Sequence, residues 1–174
     1  MSVVPAQFTG CWKRSSAGGS VPYLKIIAGG PYFVSDGKTP FSISADGMTL
    51  NWLSQVYTRH LGSGQTLLGV WTVGATEYYF RNNRSFTYQD SASEIPGVFD
   101  SLGNDAGGHV IAWEKRATIA NATDNGDGSY AITAYSAFGG TSHFTMSIVM
   151  GKLVILSELG NSTEYDPVDC SSLA

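Results

Sequence analysis

The chain has 174 residues, of which 43% are hydrophobic and 14% charged, with a net charge of −4. So much apolar side chain and so little charge exclude disorder, and the 10 Lys and Arg form no basic cluster of the kind a nucleic-acid partner requires. No apolar run approaches the roughly 18 residues of a membrane-spanning helix.

The length fits a single domain, taken here as residues 1–174. The 21 Gly and 9 Tyr, among many Ser and Thr, suit short strands joined by tight turns. Met1 to Gly10 lacks a basic start followed by an apolar stretch, so no signal peptide is read and the cytoplasm is favoured. Cys11 and Cys170 lie near opposite ends, and a barrel joining its first and last strands allows a disulfide. Two free thiols are the equal alternative. Three triplets, beginning at Asn83, Asn121 and Asn161, match the glycosylation acceptor pattern, which arises readily by chance in such a composition.

A first strand is expected around Phe8 to Ser15, and one or two more around Tyr23 to Val34. The clearest hairpin is Phe41 to Trp52, turning at Asp46-Gly47. Its pairing puts Phe41, Ile43, Ala45, Met48, Leu50 and Trp52 on one dry face. A second hairpin runs from about Leu67 to Gln89 and turns at Asn82-Asn83. That register sets Tyr79 opposite Phe86 and Glu77 opposite Tyr88, with Trp71, Val73, Ala75 and Arg81 continuing the same face.

The segment Ser91 to Gly108, with Pro96, Gly97 and further glycines, reads as a long surface loop around Ile95, Val98, Phe99 and Leu102. A third pair, His109 to Phe138, turns within Asp124 to Gly128 and keeps Ile119, Tyr130 and Ile132 together. A fourth turns at Gly151-Lys152. It gathers Phe144, Met146, Ile148, Met150, Leu153, Ile155 and Leu159. Together these elements predict an all-β fold, a closed antiparallel up-and-down barrel of about eight to ten strands, with a two-sheet sandwich as the alternative.

Gln7-Phe8-Thr9-Gly10-Cys11-Trp12-Lys13 resembles the opening strand of the calycins, the lipocalins and fatty-acid-binding proteins, which carries Phe-x-Gly-x-Trp. On that resemblance Gly10 permits a close backbone approach and Trp12 plugs one end of a lipocalin-like barrel. Leu68-Gly69-Val70-Trp71 repeats the pattern, which suggests an internal repeat. The chain departs from the family in two ways. The strand taken as last, Leu153 to Leu159, offers only Glu158 where lipocalins place a basic residue over the Trp. The helical pair of fatty-acid-binding proteins is missing.

The dry faces predict that the barrel binds a small hydrophobic or aromatic ligand, lined by Trp52, Trp71, Tyr79, Phe86, Tyr88, Trp113 and Phe144. The alternative is a cofactor-free acid–base enzyme of the isomerase, cyclase or dehydratase kind in the same cavity. There Glu77 would be the tuned acid, Tyr79 and Tyr88 its partners and Arg81 a charge partner. A third possibility is a surface-binding module, a lectin or protein-interaction domain, using Tyr57, Tyr78 and Tyr135. No cofactor and no metal are expected. His60, His109 and His143 share no ligand spacing. Asp124 to Gly128 reads as a β-turn because the downstream Glu of a calcium loop is lacking. Cys11, beside Trp12 with no His near in sequence, reads as structural rather than nucleophilic. Ala28-Gly29-Gly30-Pro31 cannot open a phosphate-binding helix, because Pro31 obstructs it.

Overall fold

The structure, a computed structural model, describes residues 3–17, 21–35, 37–102 and 108–170. It is all-β. One 3-10 turn (Ala6–Phe8) precedes β1 (Gly10–Arg14), β2 (Tyr23–Ile26), β3 (Pro31–Ser35), β4 (Thr39–Ile43) and β5 (Thr49–Trp52). Next come β6 (Gln55–Leu61), β7 (Gly69–Val73), β8 (Thr76–Phe80), β9 (Ser85–Gln89) and β10 (Glu94–Leu102). The chain ends with β11 (Gly108–Asp124), β12 (Ser129–Ser136), β13 (Thr141–Val149), β14 (Lys152–Ser157) and β15 (Ser162–Val168).

The strands close into antiparallel barrels, as an up-and-down pattern without exposed edges requires. Each closed ring has eight strands, within the eight to ten expected of an up-and-down barrel. The fifteen strands belong to two compact units, each with its own ring of hydrogen-bonded neighbours. The units are named for their nesting in the sequence alone: the outer unit comprises the described residues up to Ser35 and from Lys115 to Cys170, and the inner unit the described residues between. β11 contributes to both rings. Its first residues pair with β4 and β10, while Ala117 to Asp124 pair with β12. The outer ring closes where β11 meets β3, the Ile119 N–H donating to the Gly30 carbonyl at 2.7 Å.

In the outer unit the core holds Phe8, Trp12, Leu24, Ile119, Met146 and Leu153. β13 and β14 pair Ile148 with Leu153 and Met146 with Ile155, a register shifted by two residues from the one a Gly151-Lys152 turn would set. The turn itself is Met150-Gly151, both at positive φ, so Met150 is exposed rather than part of the dry face, and Leu159 is exposed too. Ile119, Tyr130 and Ile132 share this core as expected, and the connection between β11 and β12 falls at Asn125 to Gly128. Cys11 and Cys170 form a disulfide that ties β1 to the segment after β15, which settles the alternative left open above.

In the inner unit β4 and β5 pair as expected, Ile43 opposite Leu50. Gly47 takes φ 75°, and Ala45 and Met48 lie exposed in the turn rather than on the dry face. The hairpin from Leu67 to Gln89 differs. Gly74-Ala75 is a turn, so β7 and β8 are separate strands with Trp71 opposite Tyr78. The next turn has three residues, not two. The Arg81 N–H donates to the Ser85 carbonyl, and Arg84 takes the left-handed φ of 66° that closes such a loop. Phe80 therefore faces Phe86, Tyr78 faces Tyr88, and Tyr79 faces Thr87. A shift of one residue turns Glu77, Tyr79 and Arg81 to the opposite face from the one expected.

The segment read as a loop contains β10, a strand of nine residues paired to β9 and β11. Gly97 is needed in it, because a Cβ there would run into the Phe86 ring and the Trp113 carbonyl. Gly97→Ala should lower stability by about 1–3 kcal/mol through overpacking, measurable as a lower urea midpoint with an unchanged slope. Reduction of Cys11–Cys170 should cost about 2–5 kcal/mol, because the bond closes nearly the whole chain into one loop. Thermal melts with and without reductant would read this, and equal midpoints would contradict it.

Candidate functional site

The two interiors are furnished differently. In the inner unit, aromatic rings pack on one another across the barrel. Trp52 lies 5.1 Å from Tyr78 and 5.8 Å from Phe80, edge to face. Phe80 stacks on Phe86 at 5.8 Å and meets Phe99 at 4.9 Å. Tyr88 reaches Tyr78 at 5.3 Å and donates its hydroxyl to Asp90 at 2.7 Å, which raises the Tyr88 pKa. Such contacts give favourable ring geometry and fill the space a ligand would use.

Trp71 is fully buried, and its indole N–H donates to the Leu67 carbonyl at 2.8 Å. Arg59 of β6 covers it, with the guanidinium 4.0 Å from the ring. This guanidinium donates to four carbonyls: Gly47 at 2.6 Å, Leu68 at 3.0 Å, Gly64 at 3.1 Å and Thr66 at 2.8 Å. The side chain is only 4% exposed, and burial lowers its pKa from the usual arginine value. Trp12 in the outer unit has the same local geometry. Its N–H donates to the Phe8 carbonyl at 3.0 Å, and Gly10 at φ 124° matches Gly69 at φ 129°. Opposite Trp12 stands Pro167, where Arg59 stands opposite Trp71.

The outer unit holds an open-mouthed cavity of about 780 Å³. Leu24, Ile26, Ile119, Met146 and Ile155 line it with aliphatic side chains, and Tyr32 and Phe144 meet edge to face at 6.4 Å on its wall. Antiparallel register places Arg116, His143 and Glu158 together at the end of the ring where β13 begins and β14 ends. The other end is stopped by Val4 and Phe8, with Phe8 edge-on to Tyr130 at 5.4 Å. Burial raises the Tyr32 pKa against the opposing pull of Arg116, and burial likewise raises Tyr165. The Tyr165 hydroxyl reaches the Val21 carbonyl at 3.5 Å.

The expected site residues are therefore dispersed. Of the anticipated ligand-binding set, Phe144 lines this cavity. Trp52, Trp71, Phe86 and Tyr88 belong to the packed interior of the inner unit. Trp113 is buried but belongs to neither core cluster. Tyr79 donates a short hydrogen bond to Glu77 on the opposite face from that interior, which raises the Tyr79 pKa. Arg81 sits 5.8 Å from the Tyr79 ring and donates to Thr87 at 2.9 Å. Glu77 thus sits outside the aromatic interior, and the register correction removes the basis for an acid tuned by an apolar barrel. Tyr57 and Tyr78 are buried, against the expectation of an exposed aromatic patch, while Tyr135 is exposed.

His60 and His143 are exposed, and Thr133 is 3.2 Å from His143. Among the described residues, no group of three or more His, Cys, Asp or Glu is placed to hold a metal ion. Among the described residues no helix is long and apolar enough to cross a membrane. The sequence reading missed Leu24, Ile26, Tyr32 and Arg116 as site residues. The alternation of Leu24 with Ile26 and of Tyr32 with Val34 was the available signal.

No protein-family model, curated protein or solved structure matches the chain.

Arg59→Met should destabilise the inner unit by about 3 kcal/mol or more, since it strips four carbonyls of their donor and removes the cation over Trp71. Arg59→Lys, with three donors and no planar fork, should recover only part of this. Denaturant melts followed by Trp fluorescence would read the order wild type, Lys, Met; no loss in the Met variant would refute the role.

Proposed function

We propose that the chain binds a small apolar molecule inside the outer unit. The observation that carries this reading is the cavity of about 780 Å³ with its aliphatic lining. Pockets of some 300–1,000 Å³ with mostly apolar walls and few polar groups are the usual form of small-molecule sites. Binding would release water from those walls, and the buried apolar area supplies about 25 cal/mol per Å² toward affinity before the costs of association.

The resemblance of the two Gly-x-Trp strands to the calycin opening strand supports the same reading. Both Gly-x-Trp strands hold the indole N–H on the carbonyl four residues earlier, and Arg59 provides over Trp71 the basic residue that the sequence reading did not find. The support is one of fold and local geometry, and the ligand is argued from the cavity itself.

A neutral fluorescent probe such as N-phenyl-1-naphthylamine should bind with a stoichiometry of one and brighten on entry. Ile155→Trp, which places a larger ring on the half-buried wall, should weaken binding at least ~10-fold, a loss of about 1.4 kcal/mol. Circular dichroism should show the variant folded. Failure of neutral probes to bind wild type would refute the proposal, and so would unchanged binding in Ile155→Trp.

A further inference from the structure

We infer that Asn121 is a glycosylation site, whose side-chain nitrogen takes an N-linked oligosaccharide during export, before β11 pairs with β12. The inference is independent of the ligand-binding reading above.

Asn121-Ala122-Thr123 matches the acceptor pattern, and a triplet by itself decides nothing. Two features of the fold add to it. The first is the disulfide between Cys11 and Cys170. Such bonds form and persist in oxidising compartments and are rare where glutathione and thioredoxin keep thiols reduced. A chain that folds around this bond matures on an export route, and N-glycosylation belongs to that route.

The second feature is local geometry. β11 is extended at the triplet, so Asn121 and Thr123 share one face and Ala122 takes the other. Ala122 packs against the outer unit's core, which turns Asn121 and Thr123 outward, and both are exposed. The Asn121 Nδ2–H donates to the Thr123 hydroxyl oxygen at 3.3 Å. This contact spans only two residues, so the segment can form it before the sheet does. A carboxamide nitrogen is a poor nucleophile because its lone pair is shared with the carbonyl. A hydrogen bond given to the hydroxyl leaves more of that electron density on nitrogen.

The step balances with one co-substrate, an oligosaccharide joined through its first sugar carbon to a lipid pyrophosphate, and a membrane-bound transferase brings the two together. The bond from that carbon to Nδ2 forms, and its bond to the pyrophosphate oxygen breaks. The lipid pyrophosphate leaves with the electron pair, and one Nδ2 proton passes to a base of the transferase. Nothing is oxidised or reduced. In the folded chain the glycan then stands on the outward face of β11, away from the core.

The other two triplets are built differently. At Asn83 the polarity is reversed. The Ser85 hydroxyl donates to the Asn83 side-chain oxygen at 2.6 Å, and the Ser85 N–H donates to the same oxygen at 3.1 Å. At Asn161 the hydroxyl residue, Thr163, is half-buried and pairs across the sheet with Ile155, on the cavity side.

The test produces the full chain behind a cleavable export leader in yeast. Secreted and retained protein are both collected, so that a variant that folds poorly is still read. Peptide maps are compared before and after peptide N-glycosidase, which converts each modified Asn to Asp. Asn121 should carry glycan, at higher occupancy than Asn83 or Asn161, on chains that contain the Cys11–Cys170 bond. Thr123→Ala should abolish the modification of Asn121, and Thr123→Ser, which keeps the hydroxyl, should retain it. An unmodified Asn121 would overturn the inference. So would glycan at Asn121 that survives Thr123→Ala, or higher occupancy at Asn83 or Asn161. None of these results bears on the cavity, so the ligand-binding reading stands or falls separately.

Discussion

Closure through β11 is the constraint on which the rest depends. A strand left at an edge presents a row of unpaired N–H and C=O groups, and a sheet of this length removes its edges by closing. β4 and β10 meet on the first part of β11, and β3 and β12 flank its last part. Without those seventeen residues, each ring would open into a sheet of seven strands with two free edges. The composition of β11 reflects this double duty. Val110 packs inward in the inner unit, Ala117 and Ile119 pack inward in the outer one, and the charged Glu114, Lys115 and Arg116 fall between.

The two Gly-x-Trp strands give the two rings a common frame, and the frame exposes how differently the chain enters them. In the outer ring the Gly-x-Trp strand is the first met, β1, followed by β2, β3 and then β11 to β15. In the inner ring the same motif is on β7, the fourth strand met. Counted from it, the ring reads β7 to β11 and then β4 to β6. The strand that closes each count back onto the motif is β15 in one case and β6 in the other. Arg59 comes before its Trp in sequence for this reason, and a search along the last strand of the chain had no means of finding it. Gly69 is held to its identity more tightly than Gly10. A Cβ at Gly69 would strike the Leu61 carbonyl, whereas at Gly10 only the positive φ selects glycine.

The sequence announced its hairpins where turn chemistry was unambiguous and hid them where it was not. Asp46-Gly47 set the pairing of Ile43 with Leu50 correctly, because an Asp-Gly pair between alternating apolar residues admits few registers. Around Asn82-Asn83 the same reasoning failed by one residue. Arg84 occupies the left-handed position, and a non-glycine residue there gives no warning in the sequence. Gly74-Ala75 is a weak turn signal inside an apolar run, so β7 and β8 read as one strand. β10 was lost for another reason. Pro96 and Gly97 argue against a strand by propensity, yet Gly97 is the one residue that leaves room for the Phe86 ring. In β10 a local preference stood against a tertiary contact, and the contact won.

The cavity was less legible than the fold, because alternation states which side chains point inward and not whether they fill the inside. The two rings have the same number of strands, so their interiors have a similar amount of room to fill. In the core of the inner ring eight aromatic residues, Phe41, Trp52, Tyr57, Trp71, Tyr78, Phe80, Phe86 and Phe99, are each at least nine-tenths buried. In the outer ring Ala117 and Ala134 are buried in the core, and Leu24 and Ile26 line the cavity with aliphatic side chains. Side-chain volume, and not strand number or hydrophobic period, distinguishes the two interiors. An unfilled apolar interior forfeits dispersion contacts that a packed one gains. The disulfide and the Phe8 plug both brace the outer unit, where that loss is incurred, which is the arrangement expected of a fold that keeps a cavity at some cost in stability.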